Sequence, residues 1–251
     1  MISAGLDVGS RTIALVLLGG GVTDSAVIDT GVNPLERCRQ LLADKGYQQL
    51  VVTGYGRYLV ASALAGEVVS EIRAYAIGAR HLYPDCHTVI DIGGQDSKVI
   101  SLSEGGAVRK FEMNDRCAAG TGRFLEVMAD TFEVAIDGLG GLALGASRVV
   151  QINSLCTVFA ESEVVSLISR GEEVAAIALA LHQVVATRVA AIARRIGFKE
   201  RVVFAGGAAQ NRCLERLLSD RLGVEVAVPL KPQLVGALGA ALLAKQGRKT
   251  I

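Results

Sequence analysis

The chain has 251 residues, 51% of them hydrophobic, which is enough to bury one large core or two smaller cores around a cleft. Its 26 Lys and Arg residues nearly balance 25 Asp and Glu residues, and the net charge of +1 excludes the basic surface typical of a nucleic-acid-binding protein. The five cysteines form no Cys-x-x-Cys pair, so the sequence predicts reduced thiols rather than a disulfide framework.

Two apolar segments bear on the cellular location. The first is interrupted by Asp7 and Arg11 and does not predict a signal peptide. The second, at residues 174–192, contains Arg188 and predicts a buried amphipathic helix rather than a membrane span. We therefore expect a cytoplasmic protein that binds neither nucleic acid nor a membrane.

The first predicted element is a β-hairpin that contains the sequence DVGS at residues 7–10. An apolar residue leads into this sequence, an apolar run follows at residues 12–18, and three glycines at residues 19–21 close the hairpin. The glycine two positions after the aspartate has no side chain, so a phosphate can approach the backbone N–H groups closely. A third strand is expected at residues 26–30.

Helix and strand signals alternate after this hairpin. Asn33 followed by proline predicts the start of a helix that ends near Lys45. A short buried strand is predicted at residues 51–53, and a second helix is predicted from Ser70 to about Tyr83. The sequence Pro-Asp at residues 84–85 then breaks the chain, which makes this region the predicted domain boundary.

The pattern of the first hairpin, an Asp-x-Gly sequence between two apolar runs, recurs at DIGG, residues 91–94, with apolar runs at 89–90 and 98–102. A single hairpin of this kind is also common as a plain strand-turn-strand unit, whereas two in matching frames favour a phosphate clamp. Aspartates repel phosphate, so Asp7 and Asp91 are better placed to hold Mg²⁺, usually through water, between the two hairpins. There the ion would neutralise the terminal phosphates of a nucleotide.

Two cysteines stand where polar loops turn into predicted helices: Cys117 before a helix that follows Gly122, and Cys156 before a helix that follows Thr157. The partial positive charge of a helix N-terminus favours a thiolate and an anionic cluster bound to it. A [4Fe-4S] cluster takes four thiolates, so a twofold dimer with two from each subunit would be needed.

Burial in the core is the alternative for any cysteine, because free cysteine is among the most buried residue types. We expect Cys38, Cys86 and Cys213, in apolar or helical settings, to be core residues. For Cys117 and Cys156 both interpretations stay open on spacing alone.

The last part of the chain predicts a long helix at residues 172–195, a strand at 202–205, a helix at 211–222, a strand at 224–228 and a final helix at 235–245. Gly206 and Gly207 separate a strand from a helix, where a ribose phosphate or a flat ring can lie against the backbone, although such turns also need glycine for geometry alone. Neither G-x-x-x-x-G-K-[ST] nor a G-x-G-x-x-G after the first strand occurs. The alternation predicts two α/β lobes with a cleft between them.

The motifs resemble those of the family that holds the activators (component A) of 2-hydroxyacyl-CoA dehydratases and the ATP-binding subunits of benzoyl-CoA reductase. The matching strings are VTGYGR at 52–57, DIGGQDSK at 91–98, NDRCAAGTG at 114–122, CTVFAESE at 156–163, and GG at 206–207. The resemblance implies an α/β fold of two RNase H-like lobes of the actin/Hsc70/sugar kinase type around a nucleotide cleft. It implies an N-terminal lobe at residues 1–84, joined by the C-terminal helix 235–251, and a C-terminal lobe at 85–234 with the cluster cysteines.

The resemblance also implies a function. It implies a homodimeric, oxygen-sensitive ATPase that binds ATP and ADP and in which one [4Fe-4S] cluster bridges the subunits through Cys117 and Cys156. Such a protein takes an electron from ferredoxin or flavodoxin and, with ATP hydrolysis, delivers it to a partner iron–sulfur enzyme such as a 2-hydroxyacyl-CoA dehydratase. A small-molecule kinase of the same superfamily and a non-catalytic nucleotide switch are the alternatives.

Carried onto this sequence, the resemblance implies that Asp7 and Asp91 organise Mg²⁺ and that Gln95 orients the attacking water. It also implies a set of residues that line the phosphates and a set that surround the adenosine. The phosphate set is Gly9, Ser10, Arg11, Gly93, Gly94 and Lys98, and the adenosine set is Gly206, Gly207, Asn211 and Gln233. The chain departs from the family at Arg11, where threonine is usual, and at Tyr75, where histidine is usual.

Overall fold

The computed structural model describes residues 2–152 and 156–247, which form two α/β lobes. The loop residues Asn153, Ser154 and Leu155, which the sequence predicts ahead of Cys156, lie outside the described residues. Residues 248–251, at the end of the predicted C-terminal helix, also lie outside them.

The first lobe contains five strands and two small helices. They are β1 (Ser3–Val8), β2 (Thr12–Leu18), β3 (Val22–Asp29), α1 (Pro34–Leu42), β4 (Gln49–Thr53), α2 (Arg57–Ala63) and β5 (Glu67–Val68). The sheet order is β3-β2-β1-β4-β5, in which β1 pairs antiparallel with β2 and parallel with β4. Both faces of β1 and β2 are buried, which explains their continuous apolar sequences.

The second lobe repeats this arrangement. Its strands are β6 (Thr88–Ile92), β7 (Ser97–Leu102), β8 (Val108–Asn114), β9 (Val202–Ala205) and β10 (Val226–Ala227). The sheet order is β10-β9-β6-β7-β8, in which β6 pairs antiparallel with β7 and parallel with β9. The prediction of two matching hairpins is therefore confirmed, and each hairpin is extended on one side by a third antiparallel strand.

The remaining helices connect and cover the two sheets. They are α3 (Glu71–Leu82), α4 (Gly122–Thr131), α5 (Ile136–Leu144), α6 (Thr157–Ser169), α7 (Val174–Arg195), α8 (Arg212–Leu222) and α9 (Val235–Gln246). The predicted N-caps are confirmed, since the Asn33 side chain accepts a hydrogen bond from the Glu36 N–H and that of Ser70 accepts one from the Arg73 N–H. Helix α1 ends earlier than predicted, and Asp44 just beyond it has a positive φ of 60°.

Four strands and helices were not predicted, and each has a weak sequence signal. Strand β5 has only two residues. Strand β8 exposes or half-exposes all its side chains, so its sequence VRKFEMN lacks an apolar run. Helix α5 has the sequence IDGLGGLAL, and glycine is a poor helix former. Helix α2 is short and exposes Tyr58 and Leu59, so it has little apolar periodicity.

Helix α7 is the central helix of the second lobe. It is long and apolar enough to span a membrane by length and composition, but 67% of its most apolar window is buried within the protein. Its side chains Ile177, Leu181, Val185 and Val189 are fully buried against helices α4, α5 and α8. The prediction of a buried core helix is confirmed.

Helices α3 and α9 cross at glycines between the two sheets. A Cβ atom added to Gly78 would lie 2.1 Å from the Val235 carbonyl oxygen, and one added to Gly239 would lie 1.8 Å from the Ala74 carbonyl oxygen. On its other side, α9 packs against the first sheet, where a Cβ on Gly5 would lie 2.1 Å from the Ala237 oxygen. The helices therefore meet backbone to backbone, which only glycine allows.

This crossing yields a stability prediction. The substitution Gly239→Ala should lower the free energy of unfolding by about 3 kcal/mol or more, because the added methyl group has to push two backbones apart. Gly138→Ala in helix α5 is the matched control, since a Cβ there meets no atom within 4 Å and alanine favours the helix. Urea unfolding of both variants tests the prediction, and equal midpoints would contradict it.

Candidate functional site

A cavity of about 400 Å³ lies between the lobes and is lined by both hairpin turns. The first turns of α4 and α5 and the turn after β9 complete its walls. Apart from Gln95, all residues predicted to contact magnesium or nucleotide line this cavity: Asp7, Gly9, Ser10, Arg11, Asp91, Gly93, Gly94, Lys98, Gly206, Gly207, Asn211 and Gln233. Gln95 is exposed in the turn between β6 and β7.

Asp7 and Asp91 occupy equivalent positions in the two lobes. Each lies near the end of the first hairpin strand and is almost completely buried. Each also packs against a glycine that follows the neighbouring parallel strand: a Cβ on Gly54 would lie 2.6 Å from Asp7 Oδ1, and one on Gly206 would lie 2.2 Å from Asp91 Oδ1. Both glycines have positive φ, 90° and 84°, so the backbone turns away at the carboxylate.

The aspartates carry more negative charge than their surroundings neutralise. Burial and, to a smaller extent, the nearby charges of Glu71 and Asp91 together raise the pKa of Asp7 from 3.8 to about 7. Burial likewise raises the pKa of Asp91 to about 6, although Lys98 opposes this shift. Oδ1 of Asp91 is buried without a hydrogen-bond partner among the described residues. Two desolvated carboxylates and an unpartnered oxygen form a site that favours a cation.

Lys98 is held by carboxylates beneath the cavity. Its Nζ atom lies 2.6 Å from Glu71 Oε2, 2.6 Å from Asp96 Oδ1 and 3.2 Å from Asp91 Oδ2. Burial disfavours the ammonium charge, but the three carboxylates outweigh burial and raise the pKa of Lys98. Arg57 adds a longer contact of 3.7 Å to Glu71 Oε1.

Sequence reasoning missed several residues of this site, three of which contact Asp7, Asp91 or Lys98. Glu71, Tyr75 and Asp96 line the cavity, and the Tyr75 hydroxyl hydrogen-bonds with Asp7. Asp96 was within reach of sequence analysis, because it belongs to the string DIGGQDSK. Glu71 and Tyr75 lie on α3, one helical turn apart and on the same face, so helical spacing was the available signal.

The two hairpin turns have the same backbone geometry. The N–H of Gly9 donates to the Thr12 carbonyl oxygen at 3.0 Å, and the N–H of Gly93 donates to that of Asp96 at 2.9 Å. These two N–H groups therefore close their own turns, and we expect a phosphate to contact the N–H groups of the residues that follow.

The predicted adenosine residues surround the turn after β9. The Oδ1 atom of Asn211 accepts a hydrogen bond from the Leu214 N–H at 3.2 Å and caps α8, while its Nδ2 lies 2.9 Å from His182 Nε2. Gln233 contacts Gln210 across the cavity wall. The Asn211 side chain thus holds the turn in shape, and the backbone of Gly206 and Gly207 faces the cavity.

The two candidate cluster cysteines differ in setting. Cys156 is exposed and immediately precedes α6, as predicted. Cys117 is half-buried and does not start α4: a 3-10 turn at Ala118–Gly120 follows it, and α4 begins at Gly122. The helix therefore follows Cys117 at Gly122, as predicted, and the small residues between them form a tight turn. The Cys117 sulfur accepts a hydrogen bond from Arg188 Nη1 at 2.9 Å.

The other cysteines are core residues, as predicted. Cys38, Cys86 and Cys213 are fully buried, and burial raises the pKa of each thiol to about 11. Within residues 2–152 and 156–247, no group of three or more His, Cys, Asp or Glu side chains forms a metal site.

Two lobes with the same topology, each with an aspartate facing a shared cavity, define a protein with the actin, Hsc70 and sugar kinase type of fold. The sequence pattern of the BadF/BadG/BcrA/BcrD ATPase family matches residues 4–244. The chain belongs to this family.

Similar proteins carry related names. The 2-hydroxyisocaproyl-CoA dehydratase activator of Clostridioides difficile is 41% identical over 254 residues, covering 97% of this chain and 95% of that protein. The (R)-2-hydroxyglutaryl-CoA dehydratase activating ATPase of Acidaminococcus fermentans is 42% identical over 250 residues, covering 96% and 95%. A solved structure of the activator of the 2-hydroxyisocaproyl-CoA dehydratase from Clostridium difficile with bound ADPNP has a TM-score of 0.91 and 40% identity, covering 100% and 98%.

Proposed function

We propose that this protein is an ATP-dependent activator in which two copies share one [4Fe-4S] cluster and deliver electrons to a partner iron–sulfur enzyme. The observation that carries the proposal is the contrast among the cysteines. Three are buried in cores, whereas the two that match the family strings are accessible to solvent or to a second subunit. The names of the similar activators support the same role.

The cavity supports binding of ATP and ADP with Mg²⁺. Asp7 and Asp91 would hold the ion, mostly through water, because they are buried carboxylates with excess negative charge. Gly9, Ser10, Gly93 and Gly94 would line the phosphates, and the turn at Gly206 would receive the adenosine. The similar structure with bound ADPNP supports this assignment. Gln95 would orient the attacking water once the exposed β6–β7 turn closes over the phosphates.

The surface around Cys156 supports a homodimer. The side chains of Val158, Phe159 and Val165 on α6 are 68%, 67% and 52% exposed, which is unusual for large apolar residues. An apolar face beside an accessible thiol suits a twofold interface, where Cys117 and Cys156 of both subunits supply four sulfur ligands. When bound, the cluster would supply one-electron transfer. Arg188 would position the Cys117 sulfur and offset its negative charge.

A direct path joins the cavity to Cys117. The N–H groups of Gly122 and Arg123, in the first turn of α4, donate to the carbonyl oxygens of Gly93 and Gly94 at 2.8 and 2.9 Å. A movement of the second hairpin turn on nucleotide binding would therefore move α4 and the 3-10 turn after Cys117. We take residues 1–84 with helix α9 as one moving body and residues 85–234 as the other.

The partners follow from this role. The acceptor would be an iron–sulfur enzyme of the 2-hydroxyacyl-CoA dehydratase or benzoyl-CoA reductase kind, and the donor a ferredoxin or flavodoxin in the cytoplasm. Neither nucleic acid nor a membrane is needed.

Purification without oxygen tests the proposal. The expected product is a brown dimer with four iron and four sulfide per two chains and with ATPase activity. A colourless monomer with sugar-dependent ATP turnover would contradict it in favour of a kinase. An iron-free protein that binds ATP and a partner without turnover would contradict it in favour of a nucleotide switch.

A further inference from the structure

We propose that Arg11 distinguishes ATP from ADP by exchanging Glu126 for the terminal phosphate. The inference rests on the proposed binding of nucleotide in the cavity. It goes beyond that proposal in two roles: Arg11 contacts the third phosphate, and Glu126 competes with that phosphate for Arg11.

Arg11 lies where the two hairpin turns meet. A Cβ added to Gly94 of the second turn would lie 2.4 Å from Arg11 Cγ and 3.1 Å from Ser10 Oγ. Arg11 also lines the cavity. Its guanidinium group is therefore within the region where both hairpins would hold the phosphates.

The cavity offers two cationic side chains, Arg11 and Lys98, among the described residues. Lys98 is 2% exposed, and its ammonium group contacts three carboxylates. A hydrogen bond from this group to a phosphate would leave a buried carboxylate unpaired. Arg11 is half-exposed, and its Nη1 and Nη2 groups make no hydrogen bond to any described residue. Arg11 is therefore the cation that is available to a phosphate.

In this structure Arg11 is paired across the cavity. Its Nε atom donates to Glu126 Oε1 at 2.8 Å, and Glu126 lies on α4 and also lines the cavity. The pair joins the first hairpin to a helix of the second lobe. The Arg11 side chain is 55% exposed, and exposed ion pairs of this kind are weak. A terminal phosphate can accept two parallel hydrogen bonds from the guanidinium group, so it competes well with a one-point contact.

Exchange of partners would release α4. Glu126 would keep its second contact, from Arg123 Nη1 at 3.2 Å within the same helix, but would lose its bond to the first lobe. Because the first turn of α4 is bonded to the second hairpin turn, the presence of the third phosphate would be transmitted to the helix that leads back to Cys117.

The test measures the binding of a non-hydrolysable ATP analogue and of ADP, each with Mg²⁺, by calorimetry at low salt. Arg11→Gln should lower the affinity for the analogue about 10-fold or more, because one charge-assisted bidentate contact is lost, and should lower the affinity for ADP less than about 3-fold. Glu126→Gln should raise the affinity for the analogue about 3-fold, because it removes the carboxylate that competes with the terminal phosphate for Arg11. Glu126→Gln should have no further effect in the Arg11→Gln background, since the two act through one contact.

Arg123→Gln is the matched control, because Arg123 also pairs with Glu126 but does not line the cavity. Its ratio of analogue to ADP affinity should equal that of the unaltered protein. The proposal is overturned if Arg11→Gln leaves this ratio unchanged, or if Glu126→Gln acts equally in both backgrounds. Failure of the unaltered protein to bind either nucleotide would instead overturn the proposed function itself. Thermal unfolding confirms that each variant is folded before binding is measured.

Discussion

Replacing Cys117 or Cys156 with alanine should abolish the iron–sulfur cluster in protein prepared without oxygen. Each substitution removes two of the four sulfur ligands of the dimer, because the twofold axis duplicates the change. We expect less than about a tenth of the iron and sulfide of the unaltered protein, since a cube held by two thiolates is not retained. Iron and sulfide analysis together with visible absorption measures the loss.

Nucleotide binding should survive these substitutions, because neither cysteine lines the nucleotide cavity. The matched control is Cys38→Ala, which removes a fully buried thiol in the first lobe and should leave the cluster content unchanged. Loss of ATP binding together with the cluster would contradict the division of roles between cavity and thiols. Full cluster content in Cys117→Ala or Cys156→Ala would remove that residue from the ligand set.

Replacing Asp7 or Asp91 with asparagine should lower ATP hydrolysis by at least about 100-fold, because the magnesium site would lose a carboxylate at the transferred phosphate. The same substitutions should stabilise the nucleotide-free protein at alkaline pH. Burial raises the pKa of Asp7 to about 7 and that of Asp91 to about 6, so the ionised forms destabilise the fold.

The direction of the pH effect follows from proton binding. The pKa of Asp7 is 3.8 when the chain is unfolded and about 7 when it is folded. Between these two pH values the folded state keeps a proton on Asp7 that the unfolded state has lost. The contribution of Asp7 to stability is therefore complete below pH 3.8 and is lost as the pH rises through 7. The Asp7→Asn variant lacks this loss, so between pH 5.5 and pH 8.5 its free energy of unfolding should rise by roughly 2 kcal/mol relative to that of the unaltered protein.

Urea unfolding without nucleotide at pH 5.5 and pH 8.5 measures this difference. Asp85→Asn is the control, because Asp85 is 59% exposed and pairs with Arg201 at the surface. Its pH dependence should match that of the unaltered protein. An Asp7→Asn variant with the same pH dependence as the unaltered protein would contradict the proposed excess of negative charge.

The sequence predicted the parts of the fold that depend on local signals. The two Asp-x-Gly turns, the caps at Asn33 and Ser70, and the glycine turn at Gly206 all carry short-range patterns, and all lie where expected. The buried helix α7 was also predictable, because its apolar residues extend over many turns with polar residues between them.

Long-range contacts were not predictable. No spacing rule places Glu71 beside Lys98, because they come from different elements that meet only when the second sheet packs on α3. The same holds for the contact of Arg11 with Glu126, which joins residues of separate lobes. Lys98, which the sequence predicts at the phosphates, lines the cavity, but its contacts with three carboxylates were not predicted.

The glycines behind the two aspartates let both carboxylates pack directly against the neighbouring backbone. A Cβ on Gly54 or Gly236 would lie 2.6 or 2.2 Å from an Asp7 carboxylate oxygen, and one on Gly206 would lie 2.2 Å from Asp91 Oδ1, so each carboxylate fits only beside glycine. Because each aspartate belongs to the first hairpin strand of its own lobe, the distance between the two carboxylates changes with the angle between the lobes. If a cation binds between them as proposed, its radius and coordination geometry would therefore limit how far the lobes can close.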